Sequence, residues 1–246
     1  ILSFSKLRVS YALVGNVPTG LIGVTSTSYP ISPGGGVSIN ANLPIEKLKF
    51  ERTESYEIGL TSRFMNNLFG FDITYYNSNT FDQLFKFRAP DGSGYENYYV
   101  NAGKVNNHGI EASIDADFKF GNVGYSPMVT FTYNKNTIKE LIKNVPNPIS
   151  NELMNMDRIE PSAGLASFRN YLDVGGSVGD MYVNSFAKDG NGYVYVNPNT
   201  MQMLVDNQNL IYAGNSNPDY SIGFNNTFTY KGFSLSSNDS RALSIL

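Results

Sequence analysis

The chain has 246 residues, of which 41% are hydrophobic, 13% aromatic and only 16% charged, against about a quarter charged in ordinary domains. The net charge of -3, with no Lys/Arg cluster, excludes a nucleic-acid partner held by phosphate contacts. The absence of Cys excludes thiol catalysis and a Cys zinc site, and no run of roughly 18 apolar residues marks a transmembrane helix.

In chain order, Ile1 leads directly into a strand-like segment, so the leader of an exported protein is expected outside this stretch. A strand is predicted near 6–14, where Leu7, Val9, Tyr11 and Leu13 alternate with Lys6, Arg8, Ser10 and Ala12. A second, near 54–65, sets Tyr56, Ile58, Leu60 and Phe64 against Glu57, Gly59, Thr61 and Arg63. A third, near 68–77, carries Phe69, Phe71, Ile73 and Tyr75 on one side. The cleanest alternation lies near 108–120: Ile110, Ala112, Ile114, Ala116 and Phe118 against Glu111, Ser113, Asp115, Asp117 and Lys119. Val129, Phe131 and Tyr133 mark a strand near 123–134, and Tyr220, Ile222, Phe224, Phe228 and Tyr230 one near 220–230. Phe233 and Leu235 begin a seventh near 233–236, whereas Ser237 to Leu246 do not read as its continuation.

Alternation alone fits a soluble sandwich as well as a membrane barrel. The connections separate the two. Asn66-Asn67, Gly121-Asn122 and Lys231-Gly232 have the size and chemistry of two-residue hairpin turns. The other connections, 15–53, 77–107 and 135–219, are long. Tracing the strands up and down puts every short turn at one end and every long loop at the other, the asymmetry of outer-membrane barrels. The segments approach the 9–11 residues that a tilted membrane strand requires. Their apolar stripes carry no charge, whereas Arg8, Glu57, Arg63, Asp72, Glu111, Asp115 and Asp117 lie on the opposite face. A Lys or Arg facing lipid at the midplane costs about 2–4 kcal/mol, which explains the segregation. Tyr56, Tyr75, Tyr133, Tyr220 and Tyr230 near strand ends suit interfacial girdles, though ordinary β-core Tyr gives the same placement. Seven strands make an arc, because single-chain bacterial barrels use an even strand number and lipid tolerates no open edge.

Two stretches resemble the TonB-dependent receptor barrel: Leu48–Leu60, LKFERTESYEIGL, and Asn101–Ile114, NAGKVNNHGIEASI. Four more are similar to its SusC/RagA branch from Bacteroidetes: KLRVSYALVGN (Lys6–Asn16), TYYNSNTFDQLF (Thr74–Phe85), GDMYVNSFAKDGNG (Gly179–Gly192) and GNSNPDYSIGFNNTFTYKGFSL (Gly214–Leu235). Phe50 departs from the Pro common in that family. The resemblance implies an all-β, antiparallel transmembrane barrel of about 22 strands closed by a plug, with 1–246 supplying part of the barrel. It implies import of oligosaccharides or oligopeptides across the bacterial outer membrane. The implied partners are outer-membrane lipid, a SusD-like surface lipoprotein, TonB-ExbB-ExbD acting through a plug and TonB box outside this stretch, and a second such pair in a dimer. A soluble all-β binding or adhesion module, and a small passive pore, remain alternatives.

No catalytic, metal or cofactor site is expected. His108, the only His, cannot join a multi-His site, and beside Asn106 and Asn107 it reads as a solvated loop residue. Asp115 and Asp117 share a strand face and read as polar lining rather than paired acids. Asp91-Gly92-Ser93-Gly94 and Asp189-Gly190-Asn191-Gly192 read as turns, lacking the closing Glu of a calcium loop. Gly34-Gly35-Gly36 precedes no helix and is no phosphate cradle, and Asn225-Asn226-Thr227 is a chance sequon on a strand. The candidate contact residues lie in the loops: Tyr95, Asn97, Tyr98, Tyr99, Tyr182, Tyr193 and Tyr195 offer aromatic faces and amides to sugars or peptides. Packing of the loops on one another is the competing role for the same side chains.

Overall fold

The computed structural model describes residues 2–17, 42–44, 49–160 and 168–244. The triglycine at 34–36 lies outside them. Strands in chain order are β1 (Leu2–Asn16), β2 (Glu51–Phe64), β3 (Phe69–Arg88), β4 (Asn97–Ala116), β5 (Phe118–Phe120), β6 (Val123–Glu140), β7 (Ile142–Pro146), β8 (Leu153–Met156), β9 (Arg158–Ile159), β10 (Phe168–Arg169), β11 (Leu172–Asp173), β12 (Asp180–Phe186), β13 (Val205–Asn215), β14 (Tyr220–Tyr230) and β15 (Phe233–Leu243). The main sheet runs β1-β2-β3-β4-β6-β14-β15, with β5 beside β6, and every pairing in it is antiparallel.

The register assembles the seven apolar stripes into one surface. Leu7, Leu60, Ile73, Ala112, Phe131 and Ile222 stand opposite one another in turn, and so do Val9, Ile58, Tyr75, Ile110, Tyr133 and Tyr220. No second sheet covers this face among the described residues: Leu7 is 67% and Val9 74% exposed. A soluble sandwich would bury such a face; a membrane wall presents it to lipid. The upper end of the stripe steps down one pair per strand from β1 to β3, since Leu13 faces Glu54 and Tyr56 faces Asn77, and from β3 to β14 it stays level at Tyr75, Ile110, Tyr133 and Tyr220.

Two of the short turns have the expected geometry. Phe120 pairs Val123 around Gly121 (φ 61), the Gly-first position of a type II′ turn, and Tyr230 pairs Phe233 around Lys231 (φ 42) and Gly232 (φ 87), as type I′ demands. The third is longer than expected. Phe64 pairs Phe69, so Met65 to Leu68 form a four-residue loop with Met65, Asn66 and Asn67 all at positive φ.

The chain pauses between β4 and β5, although the register continues unbroken across the gap, from Asp115↔Met128 to Phe118↔Tyr125. The Asp117 N–H turns to the other neighbour, Leu68 O, at 2.9 Å. Ala116 must therefore look for its bond toward position 127, and Pro127 has no N–H to give.

Three expectations are corrected. The connection 77–107 is mostly strand: β3 and β4 pair as far as Arg88↔Asn97, leaving a loop of only 89–96. Alternation fades there because the side chains leave the apolar belt, while the main-chain ladder continues. His108 consequently lies within β4, opposite Asn77 and Lys135, half-buried with Nδ1 3.0 Å from Asn106 Oδ1. The tail after Ser236 is also strand, paired with β14 as far as Tyr220↔Leu243. Main-chain pairing places it there despite its side chains: Asp239 and Arg241, 3.9 Å apart, stand opposite Phe224 and Ile222 on the apolar face.

The core lies beyond the belt. Ile138, Leu141 and Ile142 are at most 2% exposed and pack with Ala89, Tyr98, Val100, Ala102, Val105, Met154 and Ile159. The connection 135–219 is thus not open loop: its β7–β8 hairpin closes a small hydrophobic core over the extended ends of β3, β4 and β6.

Candidate functional site: the polar wall and its rim

The face opposite the apolar stripe is built by long side chains reaching across glycines. Arg8 on β1 is level with Gly59 on β2 and reaches β3, donating to Asp72 at 2.9 and 3.0 Å and to Thr74 Oγ1 at 3.1 Å; Thr61 bonds both Arg8 and Asp72. Arg63 on β2 passes over Gly70 on β3 to pair with Asp115 on β4. Tyr76 on β3 passes over Gly109 on β4 to donate to Asn134 Oδ1 on β6 at 3.0 Å. A Cβ would lie 2.7 Å from Arg8 Nη2 at Gly59, 2.6 Å from Arg63 Cζ at Gly70 and 2.7 Å from Tyr76 Cζ at Gly109. Each glycine is therefore the gap through which a cross-strand strut runs. The alternation legible in the sequence located the polar face; the glycines on it were the unread signal for these struts.

The struts neutralise most of the wall's charge. Both arginine–carboxylate pairs are partly exposed, so solvent screening keeps the contribution of each small. Asp117 pairs with Lys119 at 3.4 Å and accepts from Ser126 Oγ at 3.0 Å, so Asp115 and Asp117 serve separate contacts. Glu57 and Glu111 have no ion-pair partner within 4 Å among the described residues; with Ser10, Ser55, Thr74 and Tyr76 they line a concavity of about 390 Å³.

The seven loop candidates fall on separate arms. Tyr98 is 6% exposed, stacked on Phe87 at 5.5 Å with its hydroxyl 3.7 Å from Met154 Sδ; burial pushes its phenol up. Its ring belongs to the core. Asn97 ties the chain at Asn42–Leu43, accepting from Leu43 N at 2.8 Å. Tyr99, opposite Lys86, is half-buried and Tyr95 is at the hairpin tip. Tyr182 donates to Asp173 Oδ2 at 3.0 Å, beside a guanidinium, that of Arg158, which stacks over Tyr171 at 4.9 Å and Tyr182 at 5.8 Å. Arg158 bonds Asp173 at 2.5 and 2.7 Å and holds its carboxyl below the usual range. Tyr193 and Tyr195, 74% and 51% exposed, stand on a third arm turned by Asp189, whose Oδ1 accepts from Asn191 N and Tyr193 N at 2.9 Å. The turn expected at 189–192 is thus present, and so is that at 91–94, with Gly92 and Gly94 at positive φ.

A second cleft, about 290 Å³, opens where β6 rises past the start of β14. Asn134, Asn136, Ser177, Asp180, Asn215 and Asn217 line it. The Asn136 carboxamide accepts from Val178 N at 2.8 Å and Ser177 Oγ at 3.1 Å; buried Asp180 accepts from Ser177 N at 2.7 Å and Asn215 Nδ2 at 2.9 Å. Of the residues lining this cleft only Tyr133 was singled out in the sequence, as a girdle tyrosine; the Asn, Ser and Gly read as loop chemistry.

Comparison with known proteins bears on this wall. A family model described as TonB dependent receptor-like, beta-barrel, matches residues 3–237. TonB-dependent receptor P3 of Formosa agariphila is 24% identical over 94% of the chain, and TonB-dependent receptor P39 of the same organism 29% identical over 55%. The chain spans 24% and 13% of their lengths. Among solved structures, the RagAB peptide transporter superposes with a TM-score of 0.70 at 19% identity, over 97% of this chain and 26% of that one. The RagAB peptide importer in its open-open state gives 0.69, over 96% and 26%.

Proposed function

The chain belongs to the TonB-dependent receptor β-barrel family, and we propose that it forms part of the wall and outer rim of an outer-membrane transporter that imports oligopeptides with energy delivered through TonB. Peptides are preferred to oligosaccharides because the similar RagAB structures are those of a peptide transporter. The observation that carries the reading is the two-faced single-layer sheet, apolar and, among the described residues, uncovered on one side, polar and strutted on the other. In a bilayer the first face meets hydrocarbon and the second lines a wet lumen.

The struts hold the charged side chains flat against the wall, so that a plug can move past a surface of fixed shape. The packed rim presents Tyr95, Tyr99, Tyr182, Tyr193 and Tyr195 around the mouth, where substrate and a SusD-like surface lipoprotein meet the barrel; a pair of such assemblies completes a dimer. TonB-ExbB-ExbD acts through parts of the transporter beyond this stretch. Uptake of labelled oligopeptides by cells carrying the whole transporter tests the reading. Uptake that stops when either the transporter gene or tonB is deleted supports it, and uptake indifferent to both refutes it.

A further inference from the structure

Above the apolar stripe, the outward face of the sheet becomes cationic. The registers there read Gly15↔Arg52, Arg52↔Phe81 and Phe81↔Lys104. Arg52 follows Tyr56, Phe81 follows Tyr75 and Lys104 follows Ile110 at even spacings, so all three side chains share the face that meets lipid below. Val105, next to Lys104, points the other way, into the core. The Arg52 guanidinium lies 5.2 Å and the Lys104 ammonium 5.0 Å from the Phe81 ring centroid, so cations from two flanking strands converge on one aromatic side chain. Lys49 is fixed beside them: its N–H donates to Asn101 Oδ1 at 3.0 Å, and Asn101 Nδ2 donates to Lys49 O at 2.9 Å and to Asp82 O at 3.0 Å. Among the described residues, Asp82 is the one carboxylate within 4 Å of these cations, 3.8 Å from Lys49 Nζ and 3.4 Å from Arg52 Nε. Glu140 stands opposite Lys104 without forming an ion pair. Three cations therefore share one close carboxylate.

The height of this cluster is set by its neighbours. Phe50 and Leu13, both exposed, carry the apolar edge up beside it, with the Phe50 ring 3.1 Å from where a Cβ would stand on Gly15. Four residues separate Arg52 from Tyr56, a rise of about 10 Å for strands tilted near 45°. In between, the Asn106 amide donates to Asn77 Oδ1 at 2.6 Å and to Asn79 Oδ1 at 3.1 Å. The face thus passes from apolar to neutral polar to cationic, the order in which a phosphorylated glycolipid presents acyl chains, sugar and phosphate. We infer that Lys49, Arg52 and Lys104, gathered around Phe81, bind the phosphate of an anionic glycolipid in the outer leaflet. Substrate and plug are confined to the opposite, lumen face. Continuity with the apolar stripe makes lipid the neighbour here, and the surplus of cations selects a negatively charged headgroup. Asp82 holds Lys49 and Arg52 in place and competes with the phosphate for them.

The inference rests on the outer-membrane placement in the import reading above, and the test separates the two. Native mass spectrometry on the whole transporter in neutral detergent counts bound lipid during titration with diphosphoryl lipid A or its fully dephosphorylated form. The diphosphoryl form is expected to be retained, and the dephosphorylated form about tenfold more weakly or worse. The double variant Arg52→Gln/Lys104→Gln should lower retention of the diphosphoryl form by about tenfold or more and leave the other form unchanged. Asp82→Asn keeps a residue that tolerates the positive φ of 57° and should raise retention, because a competing charge is removed. Lys231→Gln, at the short-turn end, should change nothing. Equal retention of the two lipids, a double variant that binds like the parent, weaker binding by D82N, or release of lipid A by millimolar inorganic phosphate overturns the site. Loss of a SusD-like lipoprotein from the double variant with lipid A still bound also overturns it, since the cations then serve a protein surface. TonB-dependent peptide uptake that persists alongside any of these failures leaves the import reading standing. Uptake that never depends on TonB overturns the import reading, while lipid retention still decides the site.

Discussion

Placing one arginine on either face of β4 distinguishes the lipid side from the lumen side. Ala112 and Ser113 are consecutive, both small and both half-buried, so replacing either removes little packing. Ala112 stands between Ile73 and Phe131; Ser113 stands between Asp72 and Thr130. Ala112→Arg puts a guanidinium in the middle of the apolar stripe, two residues from the Phe71–Ile114 level on one side and two from the Tyr75–Ile110 level on the other. A cation at bilayer depth costs about 2–4 kcal/mol, equivalent to about 30- to 700-fold in the folding equilibrium. Ser113→Arg points into the lumen beside Asp72 and should change stability by about 1 kcal/mol or less. Heat-modifiable gel mobility of the whole transporter, folded into phosphocholine vesicles over a urea series, gives both values side by side. If Ser113→Arg is the more damaging of the two, or Ala112→Arg is silent, the faces have been assigned the wrong way round.

Gly70→Val drives its branched side chain into Arg63 and Asp115 and should destabilise by about 1–3 kcal/mol, while Gly190→Ala, with nothing within 4 Å of its new Cβ, should leave the urea midpoint unchanged. Ile138→Ala, at 1% exposure, should cost about 2–5 kcal/mol and expose the segment 140–160 to limited proteolysis before the strands of the belt are cut. The Arg158–Asp173 pair gives a pH dependence of definite sign. Because the folded carboxyl is held below its ordinary value, its contribution is fully present above the ordinary carboxylate range and is lost as pH falls through the depressed folded value. Amide exchange at Leu172 and Asp173 should therefore accelerate only in that acid window, and Arg158→Gln should move the onset toward the ordinary carboxylate range; an onset that does not move contradicts the pairing.

Within the belt the fold was legible from residue types alone. Lipid on one side and water on the other force strict alternation, so β14 has the expected bounds of Tyr220 and Tyr230. Outside the belt that constraint ends. Asn77 to Arg88 and Asn97 to Asn107 show no lipid-facing stripe, yet they pair all along their length because the hydrogen-bond ladder is indifferent to side-chain polarity. The same indifference carries β15 through Asp239 and Arg241. Tyr98 looked like its neighbours Tyr95 and Tyr99 as a contact residue, but its partners Phe87, Met154 and Ile142 come from three segments whose convergence leaves no local signature. The struts were half visible: Arg8, Arg63, Asp72 and Asp115 were placed on the polar face, but their pairing depends on a register that only the sheet reveals.

The claim that these strands cross a membrane, with short turns on one side and the packed rim on the other, is tested most directly by single-cysteine labelling. The chain has no Cys of its own, so Ser93→Cys and Asn191→Cys mark the rim and Asn122→Cys marks the short-turn end. With a membrane-impermeant maleimide on intact cells, the first two should label and the third should label only after the outer membrane is permeabilised. Labelling of all three on intact cells, or of Asn122→Cys alone, would contradict the arrangement.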